Sequence, residues 1–166
     1  EKQFGFRKNQ STTHALISHT ESIKKHLDER KKVAGHFIDL QKAFETVNHK
    51  ILCTKLSYYG FRGKSNDSIK SFLTNRKQFV SINGYDSTQL PITCGVPQGS
   101  TLGPLLFLLY INDLRFCLKH ATASHFADDT CLTYASIKSS TLQTDLNYDL
   151  KKPNKLAKSK QTIFKC

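Results

Sequence analysis

The sequence predicts an α+β fold, and three observations support that class. Apolar residues recur at helical spacing in several segments, short strand-like segments lie between them, and two strand pairs are joined by turn signals. The chain has 166 residues, 38% of them hydrophobic, which is enough to bury one core, and no repeat or linker divides it. The predicted order is helix, strand, helix, helix, hairpin, helix, hairpin, helix.

The first three elements are a helix, a strand and a helix. Ser11 or Thr12 is expected to cap a helix that extends to residue 32, and residues 33–40 are expected to form a buried strand that delivers Asp39. A second helical pattern continues to a stop at Gly60. The apolar positions are Leu16, Ile23 and Leu27 in the first helix and Ala43, Val47, Ile51 and Leu56 in the second.

The middle of the chain predicts a short helix at residues 66–75 and then a hairpin around Asn83-Gly84. The apolar residues expected to face each other across this hairpin are Phe79, Val80 and Ile82 on one side and Leu90 and Ile92 on the other. A loop rich in glycine and proline, residues 95–104, then leads into an apolar helix at residues 105–114.

The last part of the chain predicts a second hairpin and a final helix. Strand patterns at residues 124–126 and 130–134 flank Ala127-Asp128-Asp129, which places two acids at the tip. The final amphipathic pattern runs through Leu142, Leu146 and Leu150.

The chain carries an excess of positive charge. Its 25 Lys and Arg residues against 13 Asp and Glu residues give a formal net charge of +12 and a pI near 9.6. This excess suits a polyanion such as nucleic acid, although a basic soluble protein without such a partner has the same composition. The 5 cysteines include no C-x-x-C pair, which argues against a disulfide framework and against a zinc site.

Nothing in the sequence predicts membrane insertion or secretion. The longest apolar stretch, residues 102–111, is interrupted by Gly103 and Pro104 and is shorter than the roughly 18 residues that a membrane span needs. No signal-peptide pattern opens the chain, so we expect an intracellular protein of the nucleus or cytoplasm. The sequence has no methionine and opens within a motif, so we also expect it to be part of a longer protein.

Asp128 and Asp129 form an acidic pair where a structural turn would usually carry Asn-Gly or Asp-Gly. Their like charges repel each other unless a cation neutralises them, which favours a divalent metal site. Aspartate is also a common turn former, so a purely structural turn is the alternative.

Asp39 strengthens the metal interpretation, because burying an unpaired carboxylate at the end of an apolar strand is costly. If this strand lies beside the second hairpin, three carboxylates converge. Such a cluster can hold two Mg²⁺ ions about 4 Å apart, one activating a 3′-oxygen and one stabilising pyrophosphate. Oxygen ligands without a His/Cys cluster favour Mg²⁺ or Mn²⁺ over zinc.

The segment Gly95-Val96-Pro97-Gln98-Gly99-Ser100 is a second candidate element of the site. Its glycines permit close approach of the backbone to a ligand, and Gln98 offers both a donor and an acceptor. A plain connection between a strand and a helix is the alternative interpretation.

Four segments resemble consecutive motifs of non-LTR (LINE-type) retrotransposon reverse transcriptases. They are residues 3–7 with Ser11 and Thr12, residues 37–44, residues 95–114, and residues 126–129. Together they span nearly the whole chain in the family's order, which makes the resemblance specific. It implies a reverse-transcriptase palm, a small antiparallel sheet packed on helices, with part of the fingers. Residues 1–32 would lie on the fingers side and residues 33–166 in the palm, within a 1–166 fragment without the N-terminal fingers hairpin and the C-terminal thumb.

The resemblance also implies roles for the matching residues. Asp39 and Asp128 would be the principal metal ligands and Asp129 the third acid. Leu40 would belong to the metal site through its backbone, which it would present to the incoming triphosphate. Phe44 would lie under the sugar and disfavour a 2′-hydroxyl, although a core aromatic is the alternative for that position.

Further roles concern the template and the leaving group. Gln98 and Gly99 would support the nascent base pair, and Pro97 and Arg7 would contact nucleic acid. Lys158 would donate a proton to pyrophosphate.

Two segments depart from the family pattern. Glu45 replaces the usual aspartate, which lengthens the reach of the carboxylate. Residues 153–156 have no tryptophan, a few residues are missing before Lys158, and Pro153 is expected to interrupt the helix.

The predicted function is an RNA-directed DNA polymerase that extends a primer 3′-end by two-metal nucleotidyl transfer. An RNA template, a DNA primer and deoxynucleoside triphosphates would be its substrates. The rest of the retrotransposon polyprotein, with an endonuclease and a thumb, would be its partner, and no membrane is involved. The alternative is a decayed or domesticated fragment that binds nucleic acid without catalysis. A metal-dependent phosphohydrolase would use the same acids but leaves Phe44 and Gln98 without a role.

Overall fold

A computed structural model of the protein describes residues 3–157, without the side chains of Arg115 and residues 152–157. It contains helices and small antiparallel sheets, which confirms the α+β class. In chain order the elements are α1 (Thr12–Asp28), β1 (Lys32–Ile38), α2 (His49–Tyr58), α3 (Lys64–Leu73), β2 (Lys77–Gln78), β3 (Ser81–Ile82), β4 (Tyr85–Asp86), β5 (Leu90–Pro91), α4 (Leu102–Ile111), α5 (Leu114–Cys117), β6 (Thr122–Phe126), β7 (Asp129–Ser136) and α6 (Ser139–Ala157). The chain divides into two compact units.

The first unit, Glu1–Ala43 with Asn112–Cys166, is built around an antiparallel sheet in the order β1-β7-β6. Helix α1 packs against β1 and β6, and α6 packs against β7 and β1. The central strand β7 supplies the core, with the side chains of Leu132 and Tyr134 fully buried. The second predicted hairpin, formed by β6 and β7, is therefore confirmed.

Helix α1 begins where the sequence predicted, because the Ser11 hydroxyl accepts a hydrogen bond from the His14 N–H at 3.2 Å. Strand β1, in contrast, is not the buried strand expected. It lies at the edge of the sheet, none of its residues is fully buried, and Phe37 is 76% exposed. The apolar run at residues 37–38 thus reflects one packed face and not burial on both faces.

A buried acid anchors helix α6 to the segment before β6. The carboxylate of Asp149 is completely buried and accepts hydrogen bonds from the backbone N–H groups of Lys119, His120 and Ala121, each at 2.9 Å. Burial, and secondarily the nearby Asp149 charge, raises the pKa of Tyr134 to about 12. The Tyr134 hydroxyl has no hydrogen-bond partner among the described groups.

The expected interruption at Pro153 was wrong, since the backbone of α6 remains helical through Ala157. A proline inside a helix removes one backbone hydrogen bond, which can bend the helix without ending it.

The second unit, Phe44–Ile111, packs α2 against α3 and α4. Its fully or nearly fully buried apolar side chains include Leu52, Leu56, Leu73, Leu106 and Phe107. A sheet of two short strands, β2 and β5, leads to the β3–β4 pair.

Helix α2 begins at His49, later than the sequence predicted. The Asn48 side chain accepts a hydrogen bond from the Ile51 N–H at 3.1 Å and caps the helix. Before it, the carbonyls of Phe44 and Val47 accept the N–H groups of Val96 and Gly95 at 2.8 and 2.7 Å. Long-range hydrogen bonds thus occupy carbonyls that a helix would have used.

The first predicted hairpin is confirmed. Asn83 and Gly84 have φ angles of 51° and 82°, as a type I′ turn between β3 and β4 requires. The expected facing of Phe79, Val80 and Ile82 with Leu90 and Ile92 was wrong, because the two-residue turn fixes a register in which Ile82 pairs with Tyr85 and Leu90 pairs with Gln78. The side chains of Phe79, Val80, Ile82 and Leu90 are exposed.

Helix α4 begins at Leu102 instead of residue 105 because the Ser100 hydroxyl accepts the Gly103 N–H at 3.0 Å. Pro104 fits such a first turn, where its missing N–H has no helical partner to lose.

Among the described residues, no helix combines the length and apolar character that crossing a bilayer demands.

Candidate active site

Two of the predicted acids lie side by side at one end of the β1–β7 pair. Asp39 directly follows β1, and Asp129 is the first residue of β7. The register pairs Ile38 with Thr130, so the next position on each strand brings Asp39 beside Asp129. Both residues line a cavity of about 650 Å³ within the first unit.

The expected burial of Asp39 was wrong, because this residue and Asp129 are both exposed. An aspartate just beyond an edge strand reaches solvent even where the preceding residues are apolar. Asp39 therefore bears no cost of a buried charge, and the proximity of two like charges is what favours a bound cation.

Asp128 occupies a different position from the other two acids. It is half-buried in the two-residue turn between Phe126 and Asp129 and is not among the residues that line the cavity. Across residues 3–157, no three His, Cys, Asp or Glu side chains are grouped so that they could hold a metal ion. The structure thus brings Asp39 and Asp129 together at the cavity. Asp128 is next to Asp129 in the sequence but does not line the cavity.

The three carboxylates share one electrostatic property. Within residues 3–157, Asp39, Asp128 and Asp129 have no ion-pair or hydrogen-bond partner for their side chains. The chain nevertheless carries a net charge of +12. Acids that remain without a basic partner in such a chain are available to an external cation.

The rest of the cavity wall is largely apolar, with Leu16, Phe37, Ile38 and Phe126 among its residues. His19 contacts the ring of Phe37 edge-on, with centroids 6.5 Å apart, and its Nε2 lies 3.6 Å from the Cys131 sulfur. Burial raises the pKa of the Cys131 thiol, which favours the neutral form. The Cys131 side chain is half-buried in the cavity wall.

The N-terminal motif is attached to the acidic turn. The Gln3 side-chain oxygen accepts hydrogen bonds from the Ala127 N–H at 3.2 Å and the Gly5 N–H at 2.8 Å. Ala127 has a φ of 57°, as the first residue of a tight hairpin turn often requires. This contact joins residues that are far apart in the chain, so no local pattern in residues 3–7 predicts it.

The 95–100 loop lies in the second unit, where its first glycine packs against the chain itself. A Cβ on Gly95 would come within 2.7 Å of the Glu45 carbonyl oxygen, and the residue has a φ of 89°. The Gln98 side-chain amide donates to the Glu45 carboxylate at 3.3 Å, and Gln98 and Gly99 are both exposed. Gly95 is thus explained by the fold, while Gln98 remains accessible.

Phe44 packs on the buried ring of Phe107, with centroids 4.5 Å apart and planes inclined by 30°. This contact accounts for an aromatic residue at position 44 through packing. Of the remaining predicted residues, Arg7 is exposed, Leu40 and Pro97 are half-buried, and Lys158 lies outside the described residues.

Comparisons with known proteins show the family of the chain. A family model described as reverse transcriptase (RNA-dependent DNA polymerase) matches residues 1–161. The chain belongs to the reverse transcriptase family.

The relatives specify the kind of reverse transcriptase. The chain is 34% identical over 146 residues to the probable RNA-directed DNA polymerase from transposon X-element of Drosophila melanogaster, covering 82% of this chain and 15% of the relative. It is 33% identical over 150 residues to that from transposon BS of the same species, covering 82% and 16%. It is 37% identical over 112 residues to the RNA-directed DNA polymerase from mobile element jockey of Drosophila melanogaster, covering 68% and 12%.

These matches confirm the predicted resemblance to non-LTR retrotransposon reverse transcriptases. The chain spans between 12% and 16% of the length of these three relatives. Reverse transcriptases generally use divalent metal ions, and carboxylates are the ligands that such ions prefer.

Proposed function

We propose that this chain is the palm portion of an RNA-directed DNA polymerase of a non-LTR retrotransposon. Its reaction would add deoxynucleotides to the 3′-end of a DNA primer on an RNA template. The observation that carries this proposal is the β1–β7 register, which places Asp39 beside Asp129 at the acidic turn of a chain with reverse-transcriptase motifs.

The proposed metal ligands are Asp39, Asp128 and Asp129, which would hold two Mg²⁺ or Mn²⁺ ions. The donor set fits hard divalent cations, since it consists of carboxylates without a protein cation beside them. When bound, such ions activate a 3′-hydroxyl and stabilise the charge of departing pyrophosphate. The Leu40 backbone would face the triphosphate.

Other residues would select and orient the substrates. Phe44 would exclude a 2′-hydroxyl, and its packing on Phe107 would keep the ring in place. Gln98 and Gly99 would support the nascent base pair, with Glu45 restraining the Gln98 amide so that its oxygen stays free to accept.

Further contacts are proposed for the template and the leaving group. Pro97 and Arg7 would contact nucleic acid, and Lys158 would protonate pyrophosphate. The excess of basic residues supports a polyanionic partner. The complete polymerase would include further segments of the retrotransposon protein, such as an endonuclease and a thumb.

Metal binding tests the proposal directly. We expect titration calorimetry to show Mn²⁺ binding to the chain, weakened at least about tenfold by Asp39→Asn or Asp128→Asn, because each loses a charged ligand. Asp28→Asn is the matched control, since it removes the same charge from an exposed position at the end of α1. Unchanged affinity in the Asp39 and Asp128 variants would contradict the assignment of the metal site.

Primer extension separates catalysis from binding alone. A chain that adds at least one deoxynucleotide to a primer on an RNA template, and loses this activity in Asp39→Asn, supports the polymerase. A chain that retards the template in a gel but adds no nucleotide supports the alternative, a fragment that retains only nucleic-acid binding.

A further inference from the structure

The N-terminal segment extends the sheet of the first unit beyond β6. The Phe4 N–H donates to the His125 carbonyl at 2.9 Å, and Gln3 pairs with His125 in a parallel bridge. The segment therefore runs beside the strand that leads into the acidic turn. This pairing leaves the Gln3 side chain able to reach the turn itself.

The Gln3 side-chain oxygen then holds the turn. It accepts hydrogen bonds from Ala127 at 3.2 Å and from Gly5 at 2.8 Å, and so joins the turn to its own segment through a single atom. Ala127 is buried, with 8% of its surface exposed. Leaving its N–H group without a hydrogen-bond partner would therefore be costly. Gln3 satisfies this donor from outside the hairpin.

Gly5 makes the close approach possible. A Cβ on this residue would overlap the backbone nitrogen of Ala127 and lie 2.8 Å from its Cα. Gly5 is buried and is not among the residues with a positive φ, so the glycine is needed for space and not for its backbone conformation. No other residue type could bring the two backbones this close.

The conformation of the turn itself needs such support. Ala127 adopts a φ of 57°, which is unfavourable for a residue with a Cβ by roughly 1 kcal/mol. A turn with Asn or Gly at this position would adopt the conformation from its own sequence. Here the contacts of Gln3 and Gly5 with Ala127 stabilise a conformation that the turn sequence does not favour by itself.

We propose that Gln3 and Gly5 are positioning residues that hold the Ala127-Asp128 turn and thereby orient the Asp128 carboxylate for metal binding. This inference rests on the proposed function, because it presumes that Asp128 is a ligand. It gives residues 3–5 a role in shaping the acidic site.

Substitutions of Gln3 test the inference. Gln3→Met keeps length and removes the acceptor, so we expect hydrogen exchange at the Ala127 amide, followed by NMR, to be about tenfold faster, because its hydrogen bond is lost. The Leu132 amide in β7 should keep its protection. Mn²⁺ affinity should fall about tenfold. Gln3→Glu keeps an acceptor oxygen and should restore the Ala127 protection, while the exposed Gln10→Met serves as the control.

Glycine substitutions give an independent test. Gly5→Ala should weaken Mn²⁺ binding at least about tenfold, since the added methyl group displaces the turn. Gly35→Ala is the control, because a Cβ there would meet only the Phe37 ring at 3.9 Å. It should leave Mn²⁺ binding unchanged.

The outcomes separate the inference from the proposed function. Loss of Ala127 protection together with weaker Mn²⁺ binding supports the positioning role. Loss of Ala127 protection with unchanged Mn²⁺ affinity overturns it, as does unchanged protection in Gln3→Met. A loss of protection across the whole sheet also overturns it, since Gln3 would then be a general structural residue. If the unsubstituted chain binds no Mn²⁺, the proposed function fails and the positioning role fails with it, whereas the exchange data still decide whether Gln3 holds the turn.

Discussion

Asp149→Asn should destabilise the first unit strongly, because one carboxylate serves three backbone donors. Its Oδ1 accepts from Lys119, and its Oδ2 accepts from both His120 and Ala121, each at 2.9 Å. In the least costly orientation, the Asn amide group would replace Oδ1 and face the Lys119 N–H. The hydrogen bond from Lys119 is then lost, and those from His120 and Ala121 have a neutral acceptor in place of a charged one.

The magnitude follows from typical values for such bonds. A hydrogen bond to a charged group contributes about 1.5–3 kcal/mol, and a neutral one contributes about 1 kcal/mol. Losing one charged bond and weakening two others from charged to neutral therefore costs about 2.5–7 kcal/mol. This is a large fraction of the roughly 5–15 kcal/mol that stabilises a typical domain.

Urea unfolding followed by circular dichroism measures this cost as a shift in midpoint at constant slope. Asp28→Asn provides the control for the loss of one negative charge, since Asp28 is exposed at the end of α1. It should change the free energy of unfolding by less than about 0.5 kcal/mol. A loss of under about 1 kcal/mol in Asp149→Asn would refute the inferred role of the buried carboxylate.

Two further predictions concern stability. Burial raises the pKa of Tyr134 to about 12, so the unfolded chain loses this proton near pH 10 while the folded chain retains it. Stability should therefore fall as pH rises from about 10 to 12, and Tyr134→Phe, which also removes an unpartnered hydroxyl, should make this fall in urea midpoints smaller. Gly95→Ala should lower the thermal midpoint more than Gly99→Ala, because both have a positive φ but only Gly95 abuts the Glu45 backbone. Equal midpoints would contradict that explanation.

The hairpins and helices with local signals were the most predictable features of the fold. Asn83-Gly84 specified a turn through its own conformational preferences, and Ser11 capped α1 as predicted. The start of α2 was misplaced because the carbonyls of Phe44 and Val47 bond to residues about fifty positions away. A carbonyl that bonds to a distant residue and not to the next helical turn leaves no mark in the local sequence pattern.

The candidate site was predictable only in part. The acids could be identified by type and sequence context, and the register of β1 with β7 places Asp39 beside Asp129. The exposure of Asp39 was missed because an apolar strand pattern does not reveal that the strand lies at a sheet edge. The contacts of Gln3 and Asp149 were also missed, since each joins segments that are remote in sequence.

The pairing of β1 with β7 has a consequence for which changes in chain length this protein can tolerate. Alternate residues of a strand point to opposite faces, so inserting or deleting one residue before Asp39 in β1 would turn that acid away from Asp129 while most backbone pairing survived. The β3–β4 ribbon contains no such constraint, because its strands are short and exposed. Natural length variation among related chains should therefore be concentrated around residues 79–89 and be excluded from residues 32–39 and 126–136.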